Sequence, residues 1–216
     1  MNKLKDLIMN EELYKTGTII PMFPTPIGCY NIGRDITESE LDFMFNLHTQ
    51  QNLNNTRSIN GNVLENPALS SIKEFLQHSV NDYFMQTYCP IEPENVSVYI
   101  TQSWVNYSKP NESHHKHFHS NSFISGVFYP KADPADTFTV FNEKIHPFHI
   151  IPGIYNPWNS KDWTLKVNTG LLLLFPSDFN HGVRPNQGEH TRISLSFNTF
   201  IKGKVGVAAD STELIL

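Results

Sequence analysis

The sequence predicts a mainly β, α+β protein: helices in the N-terminal part, then an antiparallel sandwich or barrel. Three observations predict this. Segments with helical spacing of apolar residues all precede residue 95, and after it come five segments of strand type, VSVYITQSWVNY, SFISGVFY, TFTVFN, GLLLLFP and RISLSFNTFI. Turns rich in Pro, Gly, Asn and Asp separate those five. At 216 residues and 39% hydrophobic content, the chain can bury one full core, and a single domain over 1–216 is expected.

The elements follow in order. Residues 3–14 carry Leu4, Leu7 and Ile8 on one side of a short helix that Gly17 ends. TIIPMFPTPIGCYNI holds too many prolines for a helix and reads as an extended or edge segment. Thr37-Glu38-Ser39-Glu40 is a capping box opening a helix that can pack Leu41, Phe43, Met44 and Leu47. The polar stretch NLNNTRSINGN reads as a loop. Asn66-Pro67 then caps a helix in which Leu69, Ile72, Phe75, Leu76, Val80 and Tyr83 recur at helical spacing to about Tyr88. Residues 1–94 are thus a helical support region with an extended N-terminal segment, 95–201 the β core, and 202–216 a C-terminal tail.

Composition narrows the function classes. Net charge is −5 and pI about 6.0, with no basic run to grip a phosphate backbone, so nucleic acid is disfavoured as a partner. Cys29 and Cys89 have neither disulfide-framework nor cysteine–zinc spacing, which fits a reducing compartment. MNKLKDLIMNEEL is broken by charge and lacks a signal-peptide core, and no apolar run approaches the ~18–20 residues of a membrane span. A cytoplasmic protein without a membrane partner is expected.

Chemistry concentrates in SHHKHFHSNS, where four of the ten histidines fall within six positions. If the strand leading to Tyr129 begins near His117, then His117 and His119 share a face about 6.5 Å apart and can converge on one ion. His114 has the opposite parity, and both His114 and His115 are expected in a solvated loop. A third ligand is offered by His181, which follows the buried run Leu171–Phe175 in a Gly/Pro/Asn turn. Arg192 opens RISLSF and is expected beside His181, on the other arm of one hairpin. A guanidinium near a three-ligand metal suits a carboxylate cofactor, because the metal takes one end and the arginine fork the other; Ser194 shares the face of Arg192 and can donate to the same carboxylate. Trp104 and Tyr129 read first as core aromatics. HPFHIIPGIYNPW, with His146 and His149, reads as a long connecting loop.

His-x-His, SxxSGVFY, GLLLLFPSxxxH and the final RIS together resemble the Fe(II)- and 2-oxoglutarate-dependent oxygenases, in particular a subgroup of bacteria and their phages that is distantly similar to prolyl 4-hydroxylases. The resemblance runs from Phe23-Pro24-Thr25-Pro26 through Asn198. It implies a double-stranded β-helix (jelly roll, cupin-like) with the N-terminal helices packed on its major sheet. It further implies His117, His119 and His181 as metal ligands, Arg192 assisted by Ser194 on the distal carboxylate of 2-oxoglutarate, and Trp104, Asn106, Ser125 and Tyr129 lining the pocket. The implied reaction is hydroxylation of a substrate C–H bond by dioxygen, coupled to decarboxylation of 2-oxoglutarate to succinate, in the cytoplasm of a bacterium or phage-infected cell. Most of the superfamily has His-x-Asp/Glu where this chain has His-x-His, which leaves the metal centre one charge more positive and suits nickel, copper or zinc as well as iron. Two alternatives stay open: a three-histidine cupin dioxygenase that needs no 2-oxoglutarate, and a noncatalytic jelly roll stiffened by zinc. The substrate, a peptide side chain or small metabolite ahead of a nucleic acid, and any homo-oligomer are not set by the motifs.

Overall fold

A computed structural model describes residues 19, 21–143 and 150–216. The helix expected at 3–14 and the histidines at 146 and 149 lie outside the described residues. Two antiparallel sheets face each other. The larger runs β1 (Gly28–Asn31), β9 (Leu171–Pro176), β6 (Ile124–Lys131), β11 (Arg192–Val205), β4 (Val96–Ser108), β3 (Thr56–Ser58) and β2 (Thr49–Gln51), with β12 (Leu214–Ile215) on the end of β11. The smaller runs β5 (His114–His117), β10 (His181–Val183), β7 (Thr137–Phe141) and β8 (Asp162–Lys166). This is the double-stranded β-helix.

Period-two alternation in the central strands divides the interior in two. In β11, Ile193, Leu195 and Phe197 face the helices, and in β6 and β9 Ile124, Phe128, Leu172 and Leu174 join them. Helix α2 (Ser70–Tyr88) supplies the opposing surface with Ile72, Leu76, Val80, Tyr83 and Phe84, all buried. The opposite faces of the same strands place Val127, Tyr129, Leu173 and Phe175 against Phe138 and Val140 of the smaller sheet. That second, thinner core is the floor of the site.

The helical signals hold in detail. Helix α1 (Glu38–Phe45) begins with the expected capping box, Glu40 N–H donating to Thr37 Oγ1 and Thr37 N–H to Glu40 Oε2. Glu40 also accepts from Arg34 at 2.6 Å; burial raises its carboxyl, but the guanidinium and Thr37 hold it below the usual range. Asn66 caps a single 3₁₀ turn, Pro67–Leu69, before α2 begins, and Cys89 ends α2 in the left-handed region at φ 43°.

Several expectations are corrected. NLNNTRSINGN is not all loop: Thr56–Ser58 pairs with Tyr107 and Asn106 of β4, so a polar sequence forms strand because an existing edge offers it hydrogen bonds. His117 does not lead into β6; it ends β5 of the smaller sheet, and the chain turns through Asn121 (φ 54°) before β6 begins in the larger sheet. His181 and Arg192 are not arms of one hairpin, since β10 lies in the smaller sheet and β11 in the larger. His114 and His115 belong to β5 and are half-buried rather than solvated. The N-terminal region gives three strands as well as helices, and the tail gives β12. No helix among the described residues is long and apolar enough to cross a membrane.

Gly126 lies on the helix-facing side of β6. It stands opposite Phe197 in the β6–β11 ladder, and a Cβ there would lie 2.1 Å from Cζ of that fully buried ring. Glycine is required because the tip of the ring occupies the space a Cβ would fill. Gly126→Ala should therefore cost about 1–3 kcal/mol through overpacking, read as a lower urea midpoint at unchanged slope.

Candidate metal centre

The site is built from the edge of the smaller sheet inward. His117 and His181 stand directly opposite in the β5–β10 ladder, their ring centroids 4.3 Å apart. His119 lies beyond the end of β5, where its N–H donates to the Ser177 carbonyl and its ring comes 5.2 Å from His117 and 5.1 Å from His181. Each of the three offers a nitrogen within 4.8 Å of the others. The structure thus brings together the three histidines that the sequence singled out, though not by the strand alternation expected of them.

Hydrogen bonds at the far nitrogens fix which nitrogen each ring presents. His117 Nδ1 lies 2.8 Å from the His115 carbonyl and His181 Nδ1 2.9 Å from the Phe179 carbonyl, so both must donate. His119 Nδ1 lies 2.7 Å from Asn198 Oδ1, whose amide is oriented by Nδ2 donating to Gln102 Oε1, and Ser125 Oγ supports the same ring at 2.9 Å. All three rings therefore carry their proton on Nδ1 and turn a bare Nε2 lone pair to the centre. Nε2 of His117 and Nε2 of His119 are 3.2 Å apart. Two lone pairs repel at that distance unless a proton or a cation lies between them. A shared proton would make one ring an imidazolium, which burial opposes: desolvation lowers His117, brings His119 down to about 4 and His181 to about 2. The spacing suits a metal ion, since two nitrogens about 2.0–2.1 Å from one ion naturally stand about 3 Å apart.

Behind the triad the walls are apolar or fixed. Phe138 and Phe175 pack on His181, which is 5% exposed, and Trp104 lies 5.6 Å from His119. Trp104 is thus a wall of the site rather than only a core aromatic. Ser125 is drawn into the network of His119 and Ser177, so its hydroxyl orients a histidine. The two groups of described residues able to hold a metal, His117/His119/His181 and His114/His115/His117, contain only histidines.

Away from the triad the space between the sheets is polar. Arg192, Ser194, Ser196 and Asn198 alternate onto the inner face of β11 and Trp104, Asn106 and Ser108 onto that of β4, with Asn106 opposite Ser194. Ser194 and Ser196 are only half-buried although they face inward, which marks an opening between the sheets. Arg192 is 3% exposed and donates from Nη1 to Asp136 Oδ1 at 2.8 Å. Asp136 was not anticipated. Its only sequence signal is the turn Asp133-Pro134-Ala135-Asp136, where Asp133 N–H donates to Asp136 Oδ2 and sets the carboxylate under the guanidinium. Tyr129 Oη and Asn106 Oδ1 are buried without a hydrogen-bond partner. Orphaned polar atoms at such burial cost about 1–3 kcal/mol each, so the Tyr129 hydroxyl, in the field of Arg192, points to a polar ligand that completes it.

The depressed histidines set an acid limit. In metal-free protein the unfolded chain takes up protons near pH 6.5 while folded His181 resists, so stability should fall as pH drops from about 6.5, by up to about 1.4 kcal/mol per unit for that group. Chemical denaturation at pH 7, 6 and 5 should show the loss, and His181→Gln should lessen it, the remainder coming from the other depressed histidines.

Residues 102–198 match the family model described as "Putative 2OG-Fe(II) oxygenase". Similar solved structures include an oxidoreductase of the 2OG-Fe(II) oxygenase family from Burkholderia pseudomallei (TM-score 0.51, 11% identity, covering 74% of this chain and 76% of that one). HygX from Streptomyces hygroscopicus, solved with nickel, 2-oxoglutarate and hygromycin B, gives TM-score 0.54 at 10% identity over 81% and 82%. A prolyl hydroxylase from Trichoplax adhaerens, in complex with a hypoxia-inducible-factor peptide, gives 0.51 at 14% over 81% and 83%. Among functionally curated proteins, none matches the sequence. The likenesses establish the jelly roll, and the family match lies over its core strands, residues 102–198 of the 216.

Proposed function

We propose that His117, His119 and His181 hold the ferrous ion, that Arg192 and Tyr129 receive the distal carboxylate of 2-oxoglutarate, and that the enzyme hydroxylates a peptide side chain or a small metabolite. The observation that carries the metal assignment is the 3.2 Å approach of two Nε2 atoms whose rings both carry their proton on the other nitrogen. The cofactor assignment draws on the orphaned Tyr129 hydroxyl, fully buried in the field of Arg192. Bound iron and 2-oxoglutarate supply the oxidising chemistry with dioxygen. The chain's own residues do the rest: three Nδ1–H groups lock the ligand rings, Arg192 and Tyr129 bind and orient the dicarboxylate, Asn106 and Ser194 offer further hydrogen bonds, and Phe138, Phe175 and Trp104 exclude water.

The Asp136 carboxylate also bears on charge. A divalent ion on three neutral imidazoles, the guanidinium, Asp136 and a dianionic cofactor sum to neutrality, so Asp136 offsets the positive charge that an all-histidine ligand set would leave. On the substrate side, the chain's net charge of −5 disfavours a polyanion. A cavity of about 420 Å³, walled by Phe23, Phe141, Trp158, Trp163 and Phe179, borders β7 one residue past Val140, the partner of His181. Such walls suit the apolar part of a peptide or metabolite.

Two measurements test this reading. Anaerobic protein with ferrous iron should develop a visible charge-transfer band on addition of 2-oxoglutarate, and the double variant Arg192→Leu/Asp136→Asn, which leaves no unpaired buried charge, should lose the band while still binding metal. A band that survives refutes the assignment of Arg192. The single variant Asp136→Asn should lower the melting temperature of the apoprotein, by about 3–5 kcal/mol of stability, because it strands a buried guanidinium. 2-Oxoglutarate should then raise that melting temperature by more than it raises the wild type's; an equal rise would show that Arg192 does not meet the cofactor.

A further inference from the structure

His114 differs from the triad in a way its position in the sequence conceals. The β5–β10 ladder pairs His117 with His181 and His114 with Val183, so three steps along β5 match two along β10. The extra residue is a bulge, and a bulge re-aims the side chains that flank it. It brings His114 toward the face of His117, the two rings 4.7 Å apart, although plain alternation would separate them.

The hydrogen bonds of His114 are also reversed. Its Nδ1 lies 3.3 Å from Asn55 Nδ2. That amide is oriented: Asn55 Oδ1 accepts from Asn52 Nδ2 at 3.0 Å, Asn55 Nδ2 also approaches Ser108 Oγ, and the residue is 1% exposed. An amide nitrogen can only donate, so His114 Nδ1 accepts, and the neutral ring must carry its proton on Nε2. The three triad rings show the opposite tautomer, each with a bare Nε2. Where they present lone pairs suited to a cation, His114 presents an N–H suited to an anion, and it stands within electrostatic reach of both the triad and Arg192.

We infer that His114 is a cofactor-positioning residue whose Nε2–H donates to a carboxylate oxygen of 2-oxoglutarate, and that it is not a metal ligand. The inference rests on the cofactor reading above. It divides the work of the pocket: Arg192 and Tyr129 take one end of the dicarboxylate, and His114 steadies an oxygen nearer the metal. Asn55 and Ser108 act through His114 by holding its tautomer.

The test compares wild type with His114→Phe, which removes the donor, and His114→Gln, whose amide nitrogen can replace Nε2–H. Binding of manganese(II) alone, and of 2-oxoglutarate to the manganese-loaded protein, is measured by calorimetry. The expected result is 2-oxoglutarate binding weaker by about ten-fold or more in His114→Phe, within about three-fold of wild type in His114→Gln, and metal affinity unchanged in both. Metal affinity lost in parallel, or 2-oxoglutarate affinity unchanged in His114→Phe, overturns the inference. ¹⁵N NMR of the wild-type apoprotein gives a check free of any variant: His114 should be the Nε2–H tautomer and the triad Nδ1–H, and an Nδ1–H His114 overturns it. Wild type that holds manganese but not 2-oxoglutarate removes the cofactor reading, and this inference with it.

Discussion

Unprotonated ring nitrogens aimed at one another inside a protein are the constraint on which this architecture turns. Lone pairs brought to 3.2 Å in a dry pocket are unfavourable on their own, and the structure accepts them only by spending a hydrogen bond on the back of every ring. Those back-side acceptors come from separate places: the bulged strand β5, the turn before β10 and the middle of β11. The fold brings them together because the two sheets of a jelly roll set strand ends from distant parts of the chain against one another. The helices α1 and α2 contribute at a distance, by giving β6, β9 and β11 a face to bury and so freeing the other face for polar residues.

The pocket alternates between apolar floor and polar wall because each central strand is read twice. Ile193, Leu195 and Phe197 stabilise the domain, while Arg192, Ser194, Ser196 and Asn198, one residue out of step, line the polar side. A one-residue slip of β11 would exchange the two sets. The bulge between Asn198 and Thr199 and the Gly126–Phe197 pairing both act against such a slip. Stability and site are thus set by the same register.

Much of this was legible in the residues. Capping at Thr37 and Asn66, the buried run 171–175 and the alternation after Arg192 are local signals that depend on side chains near in sequence, and each element formed where they lay. The residues of the histidine cluster were legible too, although its geometry was not. His117 and His119 were expected to meet by strand alternation; they meet because a turn at Asn121 and the Asn198 amide swing His119 inward. What stayed hidden depends on long-range pairing. Asp136 is one acid among many until the fold sets it 2.8 Å from Arg192. The bulge that turns His114 inward exists only once β10 is its partner. Strand formation at Thr56–Ser58 likewise needed the open edge of β4.

The central claim is that one ion and one dicarboxylate share this pocket. It is met most directly by a crystal structure of the protein grown without oxygen with manganese(II) and 2-oxoglutarate. The account predicts a single ion about 2.1 Å or slightly more from Nε2 of His117, His119 and His181, with the far carboxylate of 2-oxoglutarate on Arg192 and the Tyr129 hydroxyl. An ion held by His114 and His115 instead, or a cofactor whose carboxylate avoids Arg192 while Asp136 keeps it, would contradict it.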